Sequence, residues 1–131
     1  ELEVDDLAQV KLVSAVIAVD AGQIVDPDGV RLQLEGGFLQ SASWTLYEEV
    51  EFNEQGITSR DWDSYPILRF DNIPEIDIVL IDQPDEPWVG PSEASIGPTA
   101  GAIANAIFDA TGLRLRHLPF SPDQIRSNAL Q

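Results

Sequence analysis

The 131-residue chain has no cysteine, no methionine and a single histidine, and it carries only seven Lys and Arg against 23 Asp and Glu. Without cysteine there is no disulfide framework, no thiolate ligand for zinc or an iron–sulfur cluster, and no thiol nucleophile. The one imidazole, His117, excludes any site that takes two histidines from this chain. Its setting beside Arg114 and Arg116 reads as a solvated or interface position rather than a catalytic one. The shortage of bases gives a formal net charge of -16, which repels phosphate backbones and anionic membrane surfaces and makes nucleic acid a poor partner. The acidity is read first as a solubility feature, with an acidic docking face as the alternative. No apolar run approaches the ~18 residues that would mark a transmembrane segment, and no leader pattern opens the chain. The compartment is read as cytoplasmic, with the periplasm open. No Ser/His/Asp spacing and no phosphate-binding loop occurs, which argues against a free-standing, metal-independent enzyme.

What is there suffices for one domain spanning residues 1–131, with 44% hydrophobic and 23% charged residues, an ordinary globular balance. Lacking methionine, the chain has no initiator at Glu1, and its opening reads like the middle of a domain, so a piece of a longer protein is expected.

Taken in order, Leu2 and Val4 alternate with acids, a turn follows at Asp5 and Asp6, and an apolar run extends from Val10 to Val19. This predicts a hairpin whose second arm is buried on both faces for much of its length and ends at Ala21-Gly22. A long helix is predicted from Asp26 as N-cap with Pro27 in the first turn, its core face being Val30, Leu34, Phe38, Ala42 and Leu46. Gly29, Gly36 and Gly37 each cost on the order of 1 kcal/mol against alanine inside a helix. Gln33, Gly36, Gly37 and Gln40 form a flat, uncharged, hydrogen-bonding stripe. It suits tight packing on another segment or contact with a polar ligand, and the glycines alone do not decide between them.

Residues 49–63 read as two strands around a turn at Asn53 to Gly56, the second holding Ile57, Ser59 and Trp62. The Asp61/Asp63 pair lacks the further oxygen ligands a calcium loop needs and reads as two exposed acids. Ile76 to Ile81 is a strong strand after the breakers Pro66 and Pro74, Leu113 to Phe120 a short extended segment, and SPDQIRSNAL a closing helix with Ser121 and Gln124 as capping box. The fold class expected is α+β: a mixed β-sheet with one long helix after the first hairpin, a second helix after a loop holding Glu93, and a short C-terminal helix.

That loop is the stretch the rest is arranged around. Gly90, Pro91, Gly97 and Pro98 preset its backbone by proline at two places and free it for positive φ at two others. A helix of small residues is expected after Pro98, with Ile103, Ile107 and Phe108 as its apolar face and a stop at Gly112. A carboxylate just ahead of such a helix suits a base or metal ligand, or simply the positive end of the helix dipole, and spacing alone favours the second.

The segments DPDGVRLQLEGGFLQSASWTLYEEVEF, DWDSYPILRFDNIPEIDIVLID and GPSEASIGPTAGAIANAIFDATGLRLRHLPFSPDQIR together resemble the C-terminal part of the molybdopterin-binding subunit of the xanthine dehydrogenase and aldehyde oxidase family. The nearer branch is of the isoquinoline 1-oxidoreductase and nicotinate dehydrogenase type. QLEGG and AIANAIFDATG are each moderately specific, and three blocks in family order cover nearly the whole chain.

The resemblance implies a molybdenum hydroxylase that oxidises a carbon of an N-heterocycle or aldehyde with water-derived oxygen. Glu93 occupies the position of the family glutamate, whose role is general base at the molybdenum centre. Gln33 matches the glutamine of the QxEGG motif, which hydrogen-bonds the pterin; this resolves the glycine and glutamine stripe toward cofactor contact. No metal ligand is implied in this chain. The cofactor implied is molybdopterin, in its cytosine dinucleotide form, shared with the preceding part of the subunit. Two [2Fe-2S] clusters belong on a partner subunit or domain, a flavin or cytochrome is an expected electron acceptor, and a small molecule is the substrate. Alone, the chain is expected to be inactive, one lobe of an interface with apolar or acidic edges. Three positions depart from the family pattern: Ser92 for glycine before the glutamate, Ser41 for the glycine after the second glutamine, and Asp26 for the asparagine of the turn. Ser92 and Ser41 favour the alternative, a non-catalytic binding or assembly module that keeps the fold.

Overall fold

The computed structural model describes residues 1–130. β1 (Leu2–Val4) pairs antiparallel with β2 (Val10–Leu12), β3 (Ser14–Asp20) follows at once, and α1 (Pro27–Leu46) crosses to a minimal hairpin of β4 (Phe52–Asn53) and β5 (Gly56–Ile57). After a 3-10 turn at Phe70–Asn72 come β6 (Glu75–Ile81), α2 (Ile96–Thr111) and α3 (Pro122–Ala129). β6 lies parallel to β3, pairing Ser14 with Glu75 through Asp20 with Ile81. The α+β class therefore holds, with strands in three two-stranded ladders among the described residues.

α1 begins as its sequence dictates. Asp26 is extended (φ -128) and its carboxylate accepts from the Gly29 amide at 3.1 Å, with Pro27 just inside. Leu34, Phe38, Ala42 and Leu46 are buried as the four-residue repeat requires, while Val30 is half-buried. Phe38, Ala42 and Leu46 meet Ile103 and Ile107 of α2, Leu115, Phe120 and Ile125 in one core, where each large side chain contributes about 1.5–3 kcal/mol by leaving water. α3 is capped by Ser121, whose hydroxyl accepts from the Gln124 amide at 3.3 Å.

Three expectations are corrected. The apolar run 10–19 is two strands: Val10–Leu12 pairs residue for residue with β1, and from Ser14 the chain pairs with β6, the Val13 carbonyl accepting the Glu75 amide at 3.1 Å at the changeover. Nor is that run buried on both faces. Burial alternates along β3, leaving Val16 71% exposed, as in a sheet covered on one side only. In 49–63 only two residues of each arm pair, and Ser59 and Trp62 lie beyond the ladder. Residues 113–120, expected only as a short extended segment, lie outside any helix or ladder, and Phe120 donates its amide to the Thr45 carbonyl at 2.7 Å, seating the segment on the end of α1.

The third correction concerns α2. It starts at Ile96, so Gly97 and Pro98 lie within its first turn, where proline costs no hydrogen bond. Among the glycines, positive φ falls on Gly22, Gly56 and Gly112 and not on Gly90 or Gly97. Gly112 ends α2 at φ 74 as expected. Gly22 (φ 65) is needed for close approach as well, since a Cβ there would run into the Pro87 carbonyl oxygen. The Gln23 amide donates to Glu86 O at 3.1 Å and the Val89 amide to Ala21 O at 3.0 Å. These bonds lead the chain from β6 toward Glu93.

Candidate functional site

Glu93 sits on a tight turn just ahead of α2. The Ala94 amide donates to Pro91 O at 2.9 Å and the Ile96 amide to Glu93 O at 3.1 Å, and the Ser92, Glu93 and Ala94 side chains are exposed. The next residue, Ser95, is buried at 2% exposure, and its hydroxyl donates to the Leu34 carbonyl of α1 at 2.8 Å. In return Ser41 of α1, fully buried, donates its hydroxyl to the Ile96 carbonyl at 3.0 Å. Between the two bonds lies Gly37, where a Cβ would stand 2.5 Å from the Ser95 hydroxyl oxygen. The packing half of the glycine stripe is thus Gly37, against the turn that carries Glu93.

The remainder of the stripe points elsewhere. Gln33, Gly36 and Gln40 are exposed, and the Gln33 amide has no hydrogen-bond partner among the described residues. Gln33 lines a groove of about 320 Å³ together with Gly29, Val30 and the loop Trp88–Pro91, which runs directly into the Glu93 turn. Gln33 and the Glu93 loop therefore meet along one side of α1. Asp26 is the single charged residue on the wall, so the groove holds no cation to neutralise an incoming anion.

Gly36, Gly90, Gly97 and Gly101 have nothing within 4 Å of a built Cβ and no positive φ. Nothing within the described residues calls for glycine at these positions, although three of them lie in helices where glycine costs about 1 kcal/mol. Glu93 enters no ion pair among the described residues.

The other candidates stand apart from this junction. His117 is exposed. Asp61 accepts from the Ser64 hydroxyl at 2.6 Å and the Ser64 amide at 2.9 Å, bonds that lower its pKa, and no cluster of three metal-ligating side chains occurs among the described residues. No helix among them is long and apolar enough to cross a membrane.

Sequence reasoning missed Ser95, and it saw in Ser41 a departure from a pattern without finding its partner. One signal was available: Pro98 has no N–H to offer an N-capping side chain, so a serine three residues before it has its hydroxyl free for another element.

Residues 1–74 match the family model for the molybdopterin cofactor-binding domain, a stretch that includes Gln33 and all of α1 and stops short of Glu93. The chain is 44% identical over 119 residues to a nicotinate dehydrogenase of Pseudomonas putida, in a match covering 91% of the chain and 10% of that relative. It is 35% identical over 105 residues to the beta chain of isoquinoline 1-oxidoreductase of Brevundimonas diminuta, covering 80% and 13%. Among solved structures, quinoline 2-oxidoreductase from Pseudomonas putida 86 shares the fold at a TM-score of 0.89 and 24% identity, over 99% of this chain and 18% of that one. The chain thus spans only 10% to 13% of the length of these two curated relatives.

Proposed function

The chain belongs to the molybdopterin cofactor-binding domain family of xanthine dehydrogenase and aldehyde oxidase-type enzymes, and on that premise we propose that it supplies one wall of a molybdenum hydroxylase site, with Glu93 as general base and Gln33 as a pterin contact. The observation that carries this reading is the groove shared by Gln33 and the loop leading into Glu93. The residues fit such a group. A free amide that both donates and accepts lines an open groove, and Gly90 on the same wall leaves its backbone uncovered.

When bound, the molybdenum cofactor supplies the two-electron oxidation and an activated oxygen derived from water. Gln33 would hold the pterin's edge by hydrogen bonds and so fix its orientation. The Glu93 carboxylate, exposed and unpaired among the described residues, would accept and hold the proton released as the substrate carbon gains oxygen. The substrate class is an N-heterocycle or an aldehyde, and the cofactor carries the cytosine dinucleotide. The iron–sulfur clusters lie outside this chain, which has no cysteine to ligate them, on a partner subunit or domain. A flavin or cytochrome beyond them takes the electrons.

Exposed Val25, Trp88 and Val89 rim the groove, an apolar margin suited to burial under the preceding part of the same subunit. Ser92, exposed beside Glu93, is the feature favouring a non-catalytic assembly module instead. Molybdenum analysis of the native full-length complex separates the two: about one metal per subunit is expected, and a folded complex without molybdenum establishes the module. Glu93→Gln in the assembled enzyme tests the base, with turnover lost and metal kept.

A further inference from the structure

We propose that Ser95 is a positioning residue which, with Ser41 and the side-chain-free Gly37, locks the Glu93 turn onto α1 at a fixed distance from Gln33. The inference rests on the roles proposed above for Glu93 and Gln33, and its geometry stands on its own.

Serine at a helix N-cap ordinarily turns its hydroxyl back to accept an amide of the first turn. Ser95 does not. Its backbone is already helical (φ -80, ψ -18), its side chain makes no capping bond, and the third residue of α2 is Pro98, which has no amide to offer. The hydroxyl points across to α1 and donates to Leu34 O, the carbonyl of the residue that follows Gln33. Ser41 lies two helical turns beyond Leu34. Helical carbonyls point toward the C-terminus and side chains lean toward the N-terminus, so the Leu34 carbonyl and the Ser41 hydroxyl converge on Gly37 from opposite directions. There they take hold of consecutive residues, Ser95 and Ile96.

The bonds are reciprocal, each helix giving one hydroxyl to the other's backbone, and both donors are buried. Thr99 adds a brace, donating its hydroxyl to Ser95 O at 2.6 Å. The side chains of residues 92–94 are exposed, so Ser95 is the first side chain after Glu93 to anchor the turn. The Leu34 carbonyl lies mid-helix with its own ladder partner, so removing the Ser95 hydroxyl strands no buried acceptor. The loss falls on the placement of Glu93 rather than on the fold.

The test uses the full subunit and its holoenzyme. In the cofactor-free subunit, Ser95→Ala is expected to speed hydrogen exchange of the amides at residues 92–97 about tenfold or more, with exchange in α3 unchanged. In holoenzyme with normal molybdenum content, it is expected to lower kcat about tenfold to a hundredfold with KM unchanged, the scale set by a misplacement of about 1 Å. In a Glu93→Gln background the same change lowers kcat no further. Unchanged exchange at 92–97, or the same fractional loss of kcat in both backgrounds, overturns the proposal. Wild-type turnover in Glu93→Gln together with raised exchange in Ser95→Ala overturns the base assignment and leaves the clamp standing. If Ser95→Ala does not assemble, Ser41→Ala carries the same expectations and decides.

Discussion

The hydroxyl of Ser95 lies 2.8 Å from the carbonyl of Leu34, joining residues 61 apart in sequence at the one place where α1 has no side chain to keep α2 away. Everything proposed for Glu93 depends on this junction, because Glu93 precedes one end of the bond by two residues and Gln33 precedes the other by one. Its consequences can be separated residue by residue.

Gly37 and Gly36 are adjacent and should respond oppositely. Gly37→Ala places a methyl group 2.5 Å from the Ser95 hydroxyl oxygen. Overpacking of this kind costs about 1–3 kcal/mol, read as a lower midpoint of unfolding. A Cβ at Gly36 meets nothing, so Gly36→Ala should add about 0.5–1 kcal/mol of stability to the cofactor-free protein. If the pterin lies against that face, the same variant binds less cofactor, measured as molybdenum per subunit. Full metal content in Gly36→Ala would place the cofactor elsewhere.

Gln33→Ala removes an exposed amide with no partner among the described residues. The unfolding midpoint should therefore hold within about 0.5 kcal/mol, the usual range for surface substitutions. Cofactor occupancy should fall. A midpoint that drops with occupancy unchanged would make Gln33 structural.

Gly22→Ala is expected to disrupt the path into the site. It forces a side chain onto φ 65 and against the Pro87 carbonyl, at a cost of more than about 1 kcal/mol. Limited proteolysis should then cleave the Asp82–Trp88 segment faster than in the wild type.

Two groups between Glu48 and Tyr65 carry pH signatures of opposite sign. Hydrogen bonds from Ser64 hold Asp61 below its ordinary 3.8, so the stability they contribute is complete above that value and is lost as pH falls through the lower folded value. The Tyr65 hydroxyl donates to Glu48 at 2.8 Å, which raises the phenol above 10.0; that contribution is complete below 10.0 and is lost as pH rises through the higher folded value. Ser64→Ala removes the hydroxyl bond and keeps the backbone one, so it should raise the Asp61 pKa toward the ordinary range in an NMR titration, and Glu48→Gln should lower the Tyr65 pKa in an alkaline absorbance titration.

What could be read from the sequence was what local chemistry decides. Asp26 and Pro27 announced the start of α1, the four-residue repeat through Leu46 its buried face, Ser121 and Gln124 the start of α3, and Gly112 the end of α2. Contacts between distant residues were not legible. The parallel pairing of β3 with β6 spans the whole α1 crossover, and no local pattern says that Ser14 will face Glu75. Pro98 misdirected the start of α2, since proline is tolerated throughout a first turn and marks its neighbourhood rather than its first residue. At the site, Glu93 and Gln33 were singled out through a family resemblance. The hydroxyls of Ser41 and Ser95 acquire meaning only once α1 and α2 are packed together.

The most direct measurement is single-turnover reduction of the assembled holoenzyme by its substrate, comparing wild type with Glu93→Gln at matched molybdenum content. Loss of general-base assistance predicts a rate about 10²–10⁴-fold lower with the metal fully retained. A Glu93→Gln enzyme that holds its molybdenum and reacts at the wild-type rate would contradict the account.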